Sequence, residues 1–183
     1  MEERVKSSKA AFRKRCFGQL RKASGYGAYI RDKKVLERLY DLIVREKAQH
    51  IMLYLPLSSE VNLYPLIRRL RREKRVLYVP FMEGKSFRLV KYRYPLRVKR
   101  FGIKEPNDSK QYRKKQIDIA VVPIVGMDAS YRRVGFGKGM YDRFFEKEIE
   151  NIKKVVFVAR TLCFSKEIVT DHYDVTADIV IVP

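Results

Sequence analysis

Three glycines at alternate positions follow two adjacent arginines in the last third of the chain. The stretch covers residues 132–143 and reads RRVGFGKGMYDR. Glycine lets the backbone take positive φ angles and approach a ligand closely, and successive amides can form a nest for an anion. The N-terminal end of a following helix would add positive charge. With Arg132, Arg133 and Lys138 as cations, the stretch predicts a site for the phosphates of a nucleoside triphosphate.

The stretch differs from two common nucleotide-binding motifs. It lacks the G-x-x-x-x-G-K-[ST] pattern of a Walker A loop, and Met140 stands where G-x-G-x-x-G requires its last glycine. Alternating glycines also occur in flexible turns whose basic residues are simply solvated. The prediction of a phosphate site therefore depends on which other polar residues the fold brings to this turn.

Carboxylates near two loops are candidate ligands for a metal ion. Asp142 lies at the start of the helix predicted after the glycines, Asp174 ends a second polar loop (residues 170–174), and Asp178 follows that loop. Mg²⁺ needs only one or two protein carboxylates, because phosphates and waters supply its remaining ligands. The alternative is structural, since Asp is also common in the first turn of helices and in loops.

Two further sets of residues could contact a ligand. Glu60 follows a predicted strand, where its carboxylate could accept hydrogen bonds from the N–H groups of a heterocycle or stabilise a helix start. Lys9 and Arg13 share one face of the first predicted helix because they are four residues apart. They form an exposed basic face unless the fold places this helix over a phosphate.

The elements that position these residues follow from hydrophobic periodicity. Short Val/Ile-rich runs alternate with helical patterns, which predicts a single α/β domain over residues 1–183 with a mostly parallel sheet flanked by helices on both faces. The N-terminal helical segment is expected to pack on this domain. Predicted helices cover residues 6–24, 29–49, 62–74 and 141–151. Predicted strands cover residues 50–55, 75–79, 117–122, 155–159 and 179–182, with 86–92 as an antiparallel or edge strand.

Ligands of open parallel sheets bind beyond the carboxyl ends of the strands. The loops after Leu55, Val79, Val122 and Ala159 are therefore the expected places for chemistry. Pro80 and Pro123 are expected to end the strands that precede them.

The composition is strongly basic. Lys and Arg number 41 against 21 Asp and Glu, which gives a formal net charge of +20. Such an excess attracts polyanions, among them nucleic acids, anionic membranes and phosphorylated or polycarboxylate ligands. It also fits a heat-adapted surface without a specific partner. Basic runs at residues 68–72 and 113–115 favour nucleic acid, but the aromatic residues lie mostly on apolar strands and no nucleic-acid-binding module is recognised.

Cysteine and histidine content argues against a disulfide framework and a zinc site. Cys16 and Cys163 are too few for such a framework, and no feature places them in an oxidising compartment. The two histidines form no zinc motif. No apolar run approaches the roughly 20 residues that span a bilayer, and the N-terminus has no signal-like apolar region. We therefore expect a cytoplasmic protein without a membrane partner.

Several motifs together resemble one enzyme family. Residues 133–143 (RVGFGKGMYDR) resemble the R-L-G-x-G-x-G-Y-Y-D-R signature of 5-formyltetrahydrofolate cyclo-ligases, also called methenyltetrahydrofolate synthetases. Residues 9–13 (KAAFR) are similar to the family's K-x-x-L-R, and residues 54–56 and 60–61 to its Y-x-P…E-V. Segments with the right order and plausible spacing are residues 79–80, 102–106, 121–123 and 174–178. The resemblance covers nearly the whole chain.

The resemblance implies a reaction and its cofactors. Members close 5-formyltetrahydrofolate to 5,10-methenyltetrahydrofolate with ATP and Mg²⁺, through phosphorylation of the formyl oxygen and attack by N10. It further implies a small-molecule folate substrate. From the sign of the net charge alone, we expect the basic surface to help hold the polyglutamate tail of such a substrate, and we expect a monomer without nucleic acid. The alternatives are a basic nucleic-acid-binding protein or another phosphoryl-activating α/β enzyme.

The resemblance also implies roles for particular residues. Asp142 and Asp174 would hold the metal, with Asp171 as the alternative to Asp174 because His172 is displaced by one position from the family's H-D pair. Contacts to folate would come from Leu55, Glu60, Phe136 and Met140. The ATP phosphates would be bound by Lys9, Arg13, Arg133, Val134, Gly135, Phe136, Gly137, Lys138, Gly139, Met140 and Tyr141.

Two positions depart from the family pattern within the glycine stretch. Met140 replaces a usual Tyr, which puts an aromatic contact in question, although a thioether can also pack on a ring. Phe136 stands where Tyr or Arg is common, so a polar contact is lost there.

Overall fold

The computed structural model describes residues 2–99, 102, 104–107 and 116–183. Within them, the helices are α1 (Glu2–Ala23), α2 (Ala28–Arg45), α3 (Tyr64–Arg72) and α4 (Met140–Glu148), and the 3₁₀ turn Ile149–Asn151 extends α4. All four predicted helices are present. The prediction for α2 ran four residues too far, because Lys47 takes a left-handed φ of 52° and the Ala48 N–H bonds to the Ile43 carbonyl, which closes the helix end.

Six strands form a central sheet between the helices. All strands of the described chain are β1 (His50–Met52), β2 (Val76–Glu83), β3 (Ser86–Lys91), β4 (Leu96–Val98), β5 (Lys104–Pro106), β6 (Ile119–Pro123), β7 (Gly126–Asp128), β8 (Arg133–Val134), β9 (Val155–Val158), β10 (Phe164–Ser165) and β11 (Ile179–Ile181). The central sheet has the order β11-β9-β6-β1-β2-β3. Every pair in it is parallel except β2–β3. The predicted mostly parallel α/β fold, with residues 86–92 at an antiparallel edge, is confirmed.

The prediction that Pro80 ends its strand is wrong. β2 continues through Pro80 to Glu83 and forms a hairpin with β3, in which Pro80 lies opposite Leu89. Proline is tolerated in a strand where no neighbour needs its missing N–H. This condition holds because β1 pairs with β2 only at Val76–Tyr78. At Pro80, the edge of β2 that faces away from β3 is therefore not paired with β1.

Two smaller sheets lie beside the central one. β7 pairs with β8 and β10, and β4 pairs with β5. The antiparallel β7–β8 pair places Met127 opposite Arg133 and Gly126 opposite Val134. This small sheet therefore connects the end of β6 to the glycine-rich stretch and orients it.

The core lies on both faces of the central sheet, because alternate strand residues point to opposite sides. On one face, Ile51, Val121 and Val156 pack with apolar residues of α2 and α3. On the other face, the neighbouring strand residues pack against α1 and α4, where the buried side chains include Phe12, Cys16, Leu20, Phe144 and Phe145. The expectation of helices on both faces, with the N-terminal helix packed on the sheet, matches this arrangement.

Cys16 of α1 and Cys163, which follows β9, form a disulfide with their Cα atoms 5.5 Å apart. The sequence provided no reason to pair them. Gly126 packs directly against this disulfide. A Cβ at Gly126 would lie 2.9 Å from Cys16 Sγ and 2.8 Å from the Cys163 carbonyl oxygen, which leaves no room for a side chain. The disulfide covalently joins α1 to the loop after β9.

No helix within the described residues has the length and apolar character needed to cross a bilayer. The basic run at residues 113–115 and Ile103 of the 102–106 motif lie outside the described residues.

Candidate active site

A cavity of ≈ 530 Å³ opens beyond the carboxyl ends of the central strands. Its wall includes residues that follow β1, the Pro80–Met82 part of β2 and Pro123 at the end of β6. α1, the glycine turn and the loop after residue 170 complete the wall. This position agrees with the expectation for ligand sites in open parallel sheets.

The structure brings nearly all of the predicted site residues to this cavity. Those that line it are Lys9, Arg13, Leu55, Glu60, Arg133, Gly135, Phe136, Gly137, Lys138, Gly139, Met140, Tyr141, Asp142 and Asp174. The exception is Val134, which belongs to β8 and is fully buried in the core between the sheet and α1. Asp171, the alternative to Asp174, is not among the lining residues.

The glycine turn is a compact structure held by arginines. Gly135 has no room for a side chain, because a Cβ there would lie 1.8 Å from Arg133 Nη2. Gly137 and Gly139 have φ angles of 91° and 59°, in the region that favours glycine. Arg13 Nε of α1 donates to the Gly135 carbonyl at 3.0 Å. This contact places α1 over the turn, which is the condition under which Lys9 and Arg13 can act together with it.

The far end of the turn is fixed from α4 and the β2–β3 hairpin. Arg143 Nε donates to the Lys85 carbonyl at 2.7 Å, and its Nη2 donates to the Lys138 carbonyl. Gly139 is the N-cap residue of α4. The start of α4 therefore faces the cavity, where its partial positive charge favours an anion.

Arg133 is a buried cation, and two of its nitrogens have no hydrogen-bond partner in the described part of the chain. Its side chain is 4% exposed, and no hydrogen bond within the described residues satisfies Nε or Nη1. The guanidinium lies 4.8 Å from the centre of the Tyr141 ring. Burial lowers the pKa of Arg133, while the nearby Asp142, Tyr141, Asp174 and Glu60 oppose that shift. Unsatisfied buried donors are costly, so an anionic group in the cavity would complete this site.

Lys9 meets two carboxylates of the loop after residue 170. Its Nζ pairs with Asp171 Oδ2 at 3.0 Å and with Asp174 Oδ2. The Asp171 N–H also donates to Asp174 Oδ2, at 2.7 Å. The Tyr173 hydroxyl donates to Asp171 Oδ2 at 2.7 Å, and this hydrogen bond is the main cause that raises the pKa of Tyr173 to about 12.

Asp142 has a buried oxygen that is free to bind a cation. Its Oδ1 is inaccessible to solvent and accepts no hydrogen bond from the described residues. Asp142 and Asp174 both line the cavity beside the glycine turn. No cluster of three or more His, Cys, Asp or Glu side chains in the described part of the chain could hold a metal. Two carboxylates beside the glycine turn nevertheless fit Mg²⁺, because water and the oxygens of an anionic ligand would complete its shell.

The other end of the cavity is largely apolar and contains one carboxylate. Leu55, Leu57, Phe87 and Met140 line this part. Glu60 Oε2 accepts a hydrogen bond from the Leu57 N–H at 2.8 Å. Burial raises the pKa of Glu60 to about 7, although that hydrogen bond and the positive charges of Arg133 and Arg160 oppose the shift. Such a surface suits a flat heterocycle with N–H donors on one edge.

Some lining residues were not among the predicted site residues. Met82 and Phe87 lie on the β2–β3 hairpin, which was not expected because β2 was predicted to end at Pro80. Tyr54 and Lys104 belong to the motifs quoted for the family resemblance, but neither was assigned a role. A signal for Phe87 existed in the alternating apolar pattern of residues 86–92.

Comparisons with known proteins agree on one family. Residues 5–183 match the model of the 5-formyltetrahydrofolate cyclo-ligase family. A 5-formyltetrahydrofolate cyclo-ligase of Haemophilus influenzae is 27% identical over 155 residues, which cover 79% of this chain and 81% of that protein. The NMR structure of the Aquifex aeolicus 5,10-methenyltetrahydrofolate synthetase is 30% identical with a TM-score of 0.74, over 94% of this chain and 88% of that one.

A second solved structure supports the same fold. The 5,10-methenyltetrahydrofolate synthetase of Mycoplasma pneumoniae is 22% identical with a TM-score of 0.69, over 95% of this chain and 98% of that one. The family match spans nearly the whole chain and includes all the lining residues of the cavity. The chain therefore belongs to the 5-formyltetrahydrofolate cyclo-ligase family.

Proposed function

We propose that this protein uses ATP and Mg²⁺ to close 5-formyltetrahydrofolate to 5,10-methenyltetrahydrofolate, with release of ADP and phosphate. The observation that carries the proposal is a single cavity with two chemically different ends. One end has a glycine turn, Lys9, Arg13 and the unsatisfied Arg133, and the other has apolar side chains around Glu60. A triphosphate and a folate ring would thus meet in one pocket.

The reaction needs activation of a poor electrophile. The formyl oxygen attacks the γ-phosphorus of ATP, and the bond to the bridging oxygen breaks as ADP leaves. N10 of the folate then attacks the activated formyl carbon, phosphate departs with the former formyl oxygen, and N10 loses its proton. Each step requires orientation and charge neutralisation rather than a nucleophilic side chain.

The residues of the phosphate end would hold the triphosphate in line with the formyl oxygen. The amides of the glycine turn and the start of α4 would bind phosphate oxygens. Arg133 lines the cavity, and its guanidinium lies 4.8 Å from the centre of the Tyr141 ring. Its Nε and Nη1, which have no hydrogen-bond partner within the described residues, would neutralise charge on the oxygens of the transferring phosphoryl group.

Mg²⁺ would be held by Asp142 and Asp174, and when bound it would neutralise charge on the phosphates. Asp174 is preferred over Asp171 because it lines the cavity and Asp171 does not. Lys9 pairs with both Asp171 and Asp174. Its ammonium group therefore lies where the phosphates and their cation would approach.

The folate end would recognise the pterin ring. The Glu60 carboxylate would accept hydrogen bonds from pterin N–H groups, and Leu55, Phe136 and Met140 would contact the ring or its linker. Lys104 lines the cavity and is exposed, so it could attract the negative glutamate tail of polyglutamylated substrates. We further propose that residues 1–183 act as one domain, as a monomer in the cytoplasm, and without nucleic acid.

The test is a direct assay of the reaction. Protein, MgATP and 5-formyltetrahydrofolate are mixed, and the absorbance of the methenyl product is followed. Asp142→Asn should reduce turnover at least 100-fold while the melting temperature stays within a few degrees. Glu146→Gln is the matched control, because Glu146 is an exposed carboxylate one turn further along α4. No product from the unmodified protein would reject the function, and full activity of Asp142→Asn would reject the metal assignment.

A further inference from the structure

A buried ion pair joins α2 to the loop after β9. Arg160 Nε donates to Asp32 Oδ1 at 2.7 Å, and Arg160 Nη2 donates to Asp32 Oδ2 at 2.9 Å. The two residues, Arg160 and Asp32, are only 7% and 6% exposed. Parallel hydrogen bonds of this kind hold both the distance and the orientation of the partners.

The same pair also binds the backbone of the segment that carries Glu60. Arg160 Nη1 donates to the Ser58 carbonyl at 2.7 Å, and the Asn62 N–H donates to Asp32 Oδ2 at 3.1 Å. Glu60 is the residue midway between these two anchored positions. Arg160 Nη1 also donates to Ser24 Oγ at 2.9 Å, so the end of α1 is tied to the same pair.

Glu60 itself is part of a tight local structure. Its carboxylate accepts the Leu57 N–H at 2.8 Å, and its own N–H donates to the Leu57 carbonyl at 3.1 Å. The carboxylate therefore moves with the backbone between residues 57 and 60. Since Ser58 and Asn62 are anchored by the ion pair, the position of the Glu60 carboxylate in the cavity depends on Asp32 and Arg160.

We infer that Asp32 and Arg160 are positioning residues for the folate, which act by holding Glu60 at the apolar end of the cavity. Neither residue is among the described residues that line this cavity, so they act through Glu60 and not by touching the ligand. The inference rests on the proposed function, because it assumes that folate occupies this end. It predicts that loss of the pair weakens folate binding and leaves ATP binding nearly unchanged.

Two of three variants of this pair separate positioning from simple stability. Arg160→Lys keeps the charge but cannot form the two parallel bonds together with the bond to Ser58. Asp32→Asn leaves a buried guanidinium unpaired and risks unfolding. The paired variant Asp32→Leu/Arg160→Met replaces both charges by apolar groups, an exchange that proteins often tolerate, and removes both anchors.

The control is a carboxylate that also accepts backbone N–H groups, at the other end of the central strands. Asp118 accepts the N–H groups of Gln49 and His50 at 2.8 and 2.9 Å, beside the start of β6 and away from the cavity. Asp118→Asn should lower stability without any preference between the two substrates. A variant with a structural defect alone would therefore lose stability without a preference between the two substrates, like this control.

The experiment measures KM for 5-formyltetrahydrofolate and for ATP, kcat, and hydrogen exchange of the amides of residues 57–62. In Arg160→Lys and in the paired variant, we expect KM for folate to rise at least tenfold, KM for ATP to change less than threefold, and exchange of these amides to accelerate. The inference would be overturned by an unchanged KM for folate, by equal rises in both KM values, or by a selective rise in KM for folate in Asp118→Asn.

The design distinguishes failure of the inference from failure of the proposed function. If the unmodified protein binds 5-formyltetrahydrofolate in equilibrium dialysis but forms no methenyl product, only the proposed reaction fails. The inference is then decided by the folate Kd of the variants, with the same tenfold criterion. A protein that binds no folate at all would overturn both.

Discussion

Reduction of the Cys16–Cys163 disulfide should markedly lower the stability of the protein. The bond joins residues 147 positions apart. In the chain-entropy account, a crosslink over that separation stabilises the folded state by about 5 kcal/mol at 25 °C, because it restricts the unfolded chain. For a chain of this size, such a loss corresponds to a fall in melting temperature of about 10–20 °C.

The assay compares thermal and denaturant unfolding of the protein with and without a phosphine reductant. The double variant Cys16→Ser/Cys163→Ser is the control, and it should melt near the reduced protein and be insensitive to the reductant. Thiol titration of the unfolded, unreduced protein should detect no free thiol. Two free thiols, or melting temperatures that agree within about 2 °C with and without reductant, would refute the reasoning, because the expected shift is several times larger.

Three further predictions concern single side chains. Gly135→Ala should lower kcat/KM at least 100-fold, because the new Cβ would lie 1.8 Å from Arg133 Nη2 and would displace that side chain. The control Gly18→Ala on α1 brings its Cβ within 4 Å of no atom and should stabilise the protein by about 0.5–1 kcal/mol in urea unfolding. KM for folate should rise as the pH falls below about 7, the folded pKa of Glu60. Because that pKa lies above the unfolded value of about 4.3, stability should fall as the pH rises from about 4.3 to 7, and Glu60→Gln should remove both effects; a Gln variant with the unmodified pH profile would contradict the assignment. Burial opposes ionisation of Asp128, but two hydroxyls and three backbone N–H groups donate to its carboxylate and keep its pKa below the usual value. The ionised Asp128 carboxylate therefore stabilises the fold above about pH 3.9, and this stabilisation is lost as the pH falls through the lowered folded pKa. An Asp128→Asn variant that is as stable as the parent in urea at pH 7 would disprove this role.

The sequence was most informative where local residue types determine both structure and chemistry. The alternating glycines, the cations around them and Asp142 were recognisable because they are contiguous in the chain. Apolar runs separated by helical patterns were sufficient for the mostly parallel sheet. Since ligands bind at the carboxyl ends of such strands, the position of the cavity followed as well.

The rest depended on contacts between distant parts of the chain. Arg160 and Asp32 are 128 residues apart, and the two cysteines are 147 apart, so no local pattern could pair them. The extension of β2 past Pro80 depends on β3, which pairs with β2 there, and on a short β1, so that no strand of the described chain on the β1 side needs the N–H that proline lacks. Whether Lys9 and Arg13 faced solvent or the glycine turn was likewise a question of packing, which the Arg13–Gly135 hydrogen bond answers.

The most direct test of the proposed reaction follows the formyl oxygen. 5-Formyltetrahydrofolate labelled with ¹⁸O in the formyl group is incubated with the protein and MgATP, and the released phosphate is analysed by mass spectrometry. The account predicts one methenyl product and one ¹⁸O-labelled phosphate for each ADP formed. Methenyl product accompanied by unlabelled phosphate would contradict phosphorylation of the formyl oxygen, and the absence of product would contradict the proposed function itself.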